Sequence, residues 1–308
     1  MIRIDKITRG RWGNKVLQYN NLMQLANILN IDASCSHWEG EIYFKKTSRI
    51  IKPIRTSEIL YWDSILNKSN DKLLDLFKEK NWKLDDPSYA LHNTFYRLTN
   101  KDPRDFMELQ DTFQFHLDNV HIHIGIHIRG GDIRGGDGQD GREIHPPSYY
   151  IQAIQYLESI KNNKSNNKPY MYYICTDEAN FASFTETVNY LKNNNLKYRI
   201  GKATLNPRLS YIYDFSLLSD CDILINSSST FCIAAGFLGK KNKKIIHYKS
   251  WMDKIVNGDF SDEEYKKYVN RWTYKYTDKH WLETRKPRQF WIDLYNGGNE
   301  YYKLWKII

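Results

Sequence analysis

The 308-residue chain has no Cys-x-x-Cys pair, no long basic run and no stretch near the roughly 20 apolar residues that a membrane-spanning helix needs. Its four cysteines, Cys35, Cys175, Cys221 and Cys232, give no disulfide framework. Cys175 and Cys232 lie in apolar stretches, where a free buried thiol is the ordinary reading, so a reducing compartment is expected. The first residues, Met-Ile-Arg-Ile-Asp-Lys, lack the apolar core of a signal peptide. We therefore expect a cytoplasmic protein without a transmembrane segment, peripheral membrane contact being left open. No Gly-x-x-x-x-Gly-Lys-Ser/Thr loop occurs, and no Gly-x-Gly-x-x-Gly follows a strand, which excludes two common phosphate cradles. The segment Asp137-Gly138-Gln139-Asp140-Gly141 lacks the ligand order of a calcium-binding loop. There is no internal repeat. With 45 basic and 36 acidic residues the net charge is +9, a dispersed excess that suits an anionic small ligand at least as well as a nucleic acid. No nucleic-acid partner is expected.

What the chain does have is concentrated between Asn119 and Arg142. Ile122, Ile124, Ile126 and Ile128 recur at period two, with Val120 on the same face and histidines on the other, and predict a strand. It runs into a loop carrying Arg129, Arg134 and Arg142 beside Asp132, Asp137 and Asp140, interspersed with glycine. Glycine lets backbone approach a ligand closely, and open α/β sheets bind at the carboxyl ends of their strands. Guanidinium groups there suit phosphate, and carboxylates a few residues on can take a proton. A flexible charged loop is the plainer alternative.

Ile2, Ile4 and Ile7 predict a first strand. A glycine-bearing turn through Gly13 and Asn14 follows, then a helix with Leu22, Leu25, Ala26 and Leu29 on one face. That turn puts backbone N–H groups and Asn14 at a helix N-terminus, where an anion is favoured. Further on, Glu41 to Phe44 reads as a strand, and Ser69 to Lys80 and Pro103 to Gln110 as helices. From residue 120 to 248 strands and helices alternate: a helix opened by Pro146-Pro147-Ser148, a strand over 170–175, a helix to about Leu191, a short strand over 198–200, a helix over 210–219, a strand over 222–226, a small-residue helix over 231–238 and a strand over 244–247. Such alternation predicts a parallel, doubly wound sheet. Residues 251–308 hold five of the nine tryptophans and are expected to pack as a helical segment across the rest.

Ser227-Ser228-Ser229-Thr230 sits between a strand and a helix, where hydroxyls and N–H groups suit phosphate; an ordinary N-cap is the even alternative. Asp220-Cys221-Asp222 looks like a metal-holding Asp-x-Asp but precedes its strand, so we read it as a solvated turn. His121, His123 and His127 alternate as zinc ligands can, without a further ligand at a convincing spacing, and no metal site is expected.

Three stretches together resemble the fucosyltransferases that form α1,2 or α1,6 links, with their protein O-fucosyltransferase relatives. These are Arg9-Gly10-Arg11-Trp12-Gly13-Asn14-Lys15 with Gln18-Tyr19, then His127-Ile128-Arg129-Gly130-Gly131-Asp132, and then Asp214 to Asp222 running into Asn226 to Phe231. Tyr149 to Ile154 and Thr176-Asp177-Glu178 are smaller echoes. The resemblance implies an α/β fold of GT-B type, with two Rossmann-like lobes facing a cleft. Residues 1–118 would form the acceptor-side lobe, 119–250 the lobe that binds a GDP-sugar, and 251–308 the aromatic-rich helical segment. It implies inverting transfer of L-fucose from GDP-β-L-fucose to a glycan acceptor, of α1,2 type first and α1,6 type second, with no cofactor and no obligatory metal. Arg129 would hold the β-phosphate and His127 and Asp214 the ribose and guanine. Ser229 and Thr230 would hold the pyrophosphate and Asn14 would reach it from the other lobe, with Gly13, Asp177 and Ser228 completing the donor site. The usual second arginine of the motif is Gly130 here, leaving Arg134 or Arg11 to replace it. The base is Asp137 or Asp132. Another GDP-sugar, or a nucleotide- or glycan-binding module without catalysis, are the alternatives, and the oligomeric state is not specified.

Overall fold

The structure, a computed structural model, describes residues 2–4, 12–30, 32–35, 38–45, 58–60, 72, 75–76, 82–84, 107–130, 145–161, 168–206, 208–227, 229–239, 244–247 and 306–307. Its strands form two sheets, both wholly parallel. Strands β1 (Ile2–Ile4), β2 (Ala33–Cys35), β3 (Glu58–Leu60) and β4 (Trp82–Leu84) make the first, in the order β2-β1-β4-β3. Helix α1 (Trp12–Leu29) follows β1, and Asn30 ends it in the left-handed region at φ 51°, a conformation that asparagine tolerates.

The second sheet holds β5 (Ile122–Ile128), β6 (Tyr170–Thr176), β7 (Tyr198–Ile200), β8 (Ile223–Asn226), β9 (Lys244–His247) and β10 (Lys306–Ile307), in the order β10-β9-β8-β5-β6-β7. Five helices accompany it: α2 (Pro147–Lys161), α3 (Ala182–Asn193), α4 (Lys202–Leu205), α5 (Ile212–Asp220) and α6 (Thr230–Leu238). Pro147 occupies the first position of α2, where its missing N–H has no cost and its φ suits the helix. Burial on both faces explains why β5, β6 and β8 are apolar almost throughout.

The two faces pack against different helices. Ile124, Ile126 and Ile128 enter one core with Tyr150, Ile154 and Leu157 of α2 and Phe184 and Leu191 of α3. On the other face Tyr173, Cys175 and Leu224 join α1, α5 and α6 in a second core that reaches Ala33 and Cys35 of the first sheet. Gly125 makes the approach of α5 possible. A Cβ there would stand 2.8 Å from both Leu218 and Leu224 side chains.

Trp12 is the hub of the second core. It stacks on Trp38 and Phe44 with ring centroids 5.8 Å away in each case, and meets Tyr43, Tyr211 and Phe215 at 5.3, 5.4 and 5.7 Å. Burying an aromatic of this size contributes about 3–5 kcal/mol, judged by the cost of truncating it to alanine.

Several expected elements differ. Residues 39–42 form a 3-10 turn rather than a strand, and Phe44 alone bridges to Leu109, antiparallel. Tyr43 and Phe44 are aromatic for the Trp12 cluster instead of a ladder. Residues 107–110, expected to end a helix, are extended into that bridge. Asp222 is not a solvated turn: its carboxylate accepts from His123 N at 2.8 Å, while Asp220 accepts from Leu117 N at 3.0 Å. The pair fastens the amino ends of β5 and β8. Of the 251–308 segment, expected to be helical, Lys306 and Ile307 are described, and they form strand β10 beside β9. The four cysteines are free and buried. No helix among the described residues is long and apolar enough to cross a membrane.

Candidate functional site

Strand order locates the site. From β5 the chain moves outward to β6 and β7, then returns to place β8, β9 and β10 on the other side, so the direction of winding reverses between β5 and β8. At such a reversal the loops leave on opposite faces and open a crevice outside the carboxyl ends of the strands. His127 and Arg129 close β5; Ser227, Ser229 and Thr230 close β8 and open α6.

His127 is 4% exposed, and its Nδ1 lies 2.6 Å from Ser227 Oγ across the reversal. Its ring stacks on Phe231, centroids 5.2 Å apart. Burial pushes the imidazole down to about 4; Asp177 opposes the shift and Arg129 adds to it. His127 is therefore a neutral hydrogen-bonding group at pH 7. Arg129 Nη1 pairs with Asp177 Oδ2 at 2.9 Å, and the other Asp177 oxygen accepts from Gly130 N at 2.8 Å. One carboxylate thus fixes both the guanidinium and the backbone at the strand end. Asp177, expected to touch a donor, acts on Arg129.

Gly130, in place of the motif's second arginine, is closed in: a Cβ would lie 3.0 Å from Glu178 Cβ and 3.4 Å from Phe181 Cγ. Ser229 is the N-cap of α6, its Oγ accepting from Phe231 N at 3.3 Å, so the ordinary capping role is present. Thr230 is the first helical residue.

Gly13 joins the site from the first sheet. Its position in the first turn of α1 lies against the first turn of α6, where a Cβ would stand 2.3 Å from Thr230 C and Phe231 N. Two helix N-termini therefore meet. Each carries about half a positive charge, and their mutual repulsion is relieved by an anion placed between them. Asn14, next along α1, has a buried Oδ1 with no hydrogen-bond partner among the described residues.

Asp214, expected at the ribose or guanine, is held by its own chain. It is 4% exposed, and its oxygens accept from Ala203 N at 2.9 Å and Thr204 N at 3.0 Å, with Thr204 Oγ1 2.8 Å away. Gly201 lies so close that a Cβ would be 2.6 Å from the carboxyl group. Asp214 caps α4 from α5; burial raises its pKa against those hydrogen bonds. Thr204 Oγ1 also accepts from Thr176 N at 2.9 Å, which ties α4 to the end of β6.

Asp132, Asp137, Arg134, Arg11 and Ser228 lie outside the described residues. Ser227 lies in the hydroxyl run expected to suit phosphate, and Phe231 and Tyr149 lie in stretches that carry the resemblance, but no individual role was expected for any of the three. Tyr149 Oη donates to Asn226 O at 2.9 Å and lies 3.1 Å from Ile246 O, holding the ends of β8 and β9. The contact of Ser227 with His127 follows only once β8 is known to neighbour β5. Among the described residues no group of three or more His, Cys, Asp and Glu side chains gathers as a metal site.

No known protein family matches the chain, and no curated protein matches it. Among solved structures it is similar to POFUT1 in complex with GDP-fucose, with a TM-score of 0.49 and 11% identity over 80% of this chain and 97% of that one. The apo form of POFUT1 gives 0.45 and 12% over 76% and 93%. A mutant FUT1 of Arabidopsis thaliana in complex with GDP gives 0.47 and 12% over 80% and 69%. With all three TM-scores under 0.5, the reading of the site rests on the chain's own residues.

Proposed function

We propose that this chain is an inverting glycosyltransferase that moves L-fucose from GDP-β-L-fucose to a hydroxyl of a glycan, in an α1,2 link before an α1,6 one. The observation that carries the reading is the meeting of the α1 and α6 N-termini, at the reversal between β5 and β8, beside a braced arginine. That combination suits a diphosphate. The three motif stretches that resemble fucosyltransferases coincide with it: the first supplies Gly13 and Asn14, the second His127 and Arg129, the third Ser229 and Thr230.

In this reading the acceptor oxygen attacks the anomeric carbon as the bond to the β-phosphate oxygen breaks. The bonding pair leaves with GDP. Arg129, fixed in advance by Asp177, meets the charge that grows on the departing phosphate, and the helix N-termini share it. A fixed cation does the work for which other enzymes use a metal. The acceptor proton goes to a carboxylate of the 131–144 segment, Asp137 or Asp132, in keeping with the resemblance. His127, neutral and oriented by Ser227 and Phe231, offers a ring nitrogen to the ribose. Asp214 shapes the end of the sheet by holding α4.

The test is release of GDP from GDP-fucose, GDP-mannose and a uridine-linked sugar, with and without chelator and a mixed glycan pool. We expect acceptor-stimulated release from GDP-fucose alone, indifferent to chelator. No release from any donor, together with no thermal stabilisation by GDP, would sink the reading.

A further inference from the structure

Among the described residues, five of seven exposed large apolar side chains cluster, Val120 and Tyr156 lying elsewhere. Leu205 is 67% exposed, Leu209 40%, Tyr211 37% and Tyr213 36%, all on the segment that leaves α4 and enters α5, and Ile42 is 62% exposed on the 3-10 turn beside it. Two contacts join these pieces: Tyr211 Oη donates to Glu39 Oε2 at 2.7 Å, and Tyr43 Oη lies 3.3 Å from Ser210 Oγ. Cations flank the apolar tips. Lys202 Nζ stands 5.8 Å from the ring centroids of Phe115 and Tyr213, and Arg208 is exposed on the same segment. Glu39 is already paired with Lys15 at 2.7 Å, and Glu41 is exposed on the 3-10 turn.

We propose that this patch seats the protein on an anionic bilayer surface. Apolar tips long enough to enter the headgroup boundary, tyrosines at the level of the interface and a lysine and an arginine beside them form the pattern of interfacial contact. The chain's net charge of +9 adds attraction to an acidic surface. The patch adjoins the candidate site: Tyr211 meets Phe231, the residue stacked on His127, with centroids 6.5 Å apart. Resting on the glycosyltransferase reading, one consequence is that the acceptor is a lipid-borne glycan presented at the bilayer.

Co-sedimentation of the full chain with lipid vesicles tests the seat without calling on catalysis. The vesicles are phosphatidylcholine alone, or phosphatidylcholine mixed with phosphatidylglycerol. We expect binding to the mixed vesicles, weakened several-fold by high salt. The double change Leu205→Asp with Leu209→Asp should weaken it by about tenfold or more. Lys202→Ala with Arg208→Ala should weaken it by about tenfold on mixed vesicles. Far-UV circular dichroism should be unchanged in both, since all four side chains are exposed. A wild-type chain that stays in solution with every vesicle overturns the proposal, as does equal binding by wild type and both variants. A drop in the sedimentation mass of vesicle-free protein on the leucine changes assigns the patch to self-association and overturns it too.

Discussion

Arg129 and Asp177 act as one unit, because the carboxylate holds both the guanidinium and the Gly130 N–H. Arg129→Ala should lower kcat by about 10²–10³, the loss seen when one preorganised donor to a developing anion is removed. Asp177→Ala should act more weakly, leaving the cation in place but free to wander, so that KM for the donor rises more than kcat falls. Steady-state kinetics separate the two; equal losses in kcat would count against a positioning role. His127 gives a pH prediction. Its folded pKa is about 4 against an ordinary 6.5, so below pH 6.5 the unfolded chain takes a proton that the folded chain refuses. Its contribution to stability is whole above that value and is lost as the pH falls towards 4. Urea midpoints at pH 7, 6 and 5 should fall less steeply in His127→Gln than in wild type, and parallel slopes would show that another group is responsible. His127 and Arg129 were legible because an apolar strand ended in them. Asp214 is ambiguous in the sequence, because a carboxylate at the start of a helix looks the same whether it awaits a ligand or caps a neighbouring turn. Only the positions of the Ala203 and Thr204 N–H groups distinguish the two.

At the scale of elements, Gly13 shows how a weak local signal acquires meaning. A glycine within a helix ordinarily costs about 0.5–1 kcal/mol relative to alanine, so Gly13→Ala should stabilise an isolated α1. Here the added methyl would stand 2.3 Å from backbone atoms of Thr230 and Phe231, which cannot turn aside as a side chain can. Overpacking costs typically 1–3 kcal/mol and outweighs the propensity gain. Gly13→Ala should therefore lower the urea midpoint and weaken GDP binding together. A more stable variant would mean that α1 and α6 are not in contact. The strands and helices between 120 and 248 were legible to within a few residues, since period-two isoleucines and helical spacing each demand one backbone, but the short α4 was not. Residues 39–44 were not. Tyr43 and Phe44 are apolar for the sake of Trp12, and an aromatic cluster assembled from 12, 38, 44, 211 and 215 has no period to read.

For the whole molecule the deciding quantity is strand order. Alternation announced a parallel sheet, yet β5, β6 and β8 are all buried on both faces, so burial alone does not say which lies beside which. Strand β10 enters from the far end of the chain to pair with β9, a contact no local pattern could announce. The order matters because it places the reversal at β5 and β8, and the reversal places α6 where α1 of the other sheet can reach it. If a diphosphate bridges the two N-termini, its binding should register on both sheets at once. Hydrogen exchange measured with and without GDP should show slower exchange in the first turns of both α1 and α6, whereas the N-terminal turn of α3 should be unaffected. At a GDP concentration about a hundredfold above Kd, binding confined to the native state stabilises it by about 2.7 kcal/mol. Amides that open by global unfolding should gain that full amount in either sheet. Protection confined to α6, with α1 unchanged, would mean that the first sheet takes no part in holding the nucleotide, and Asn14 would then lose its place in the site.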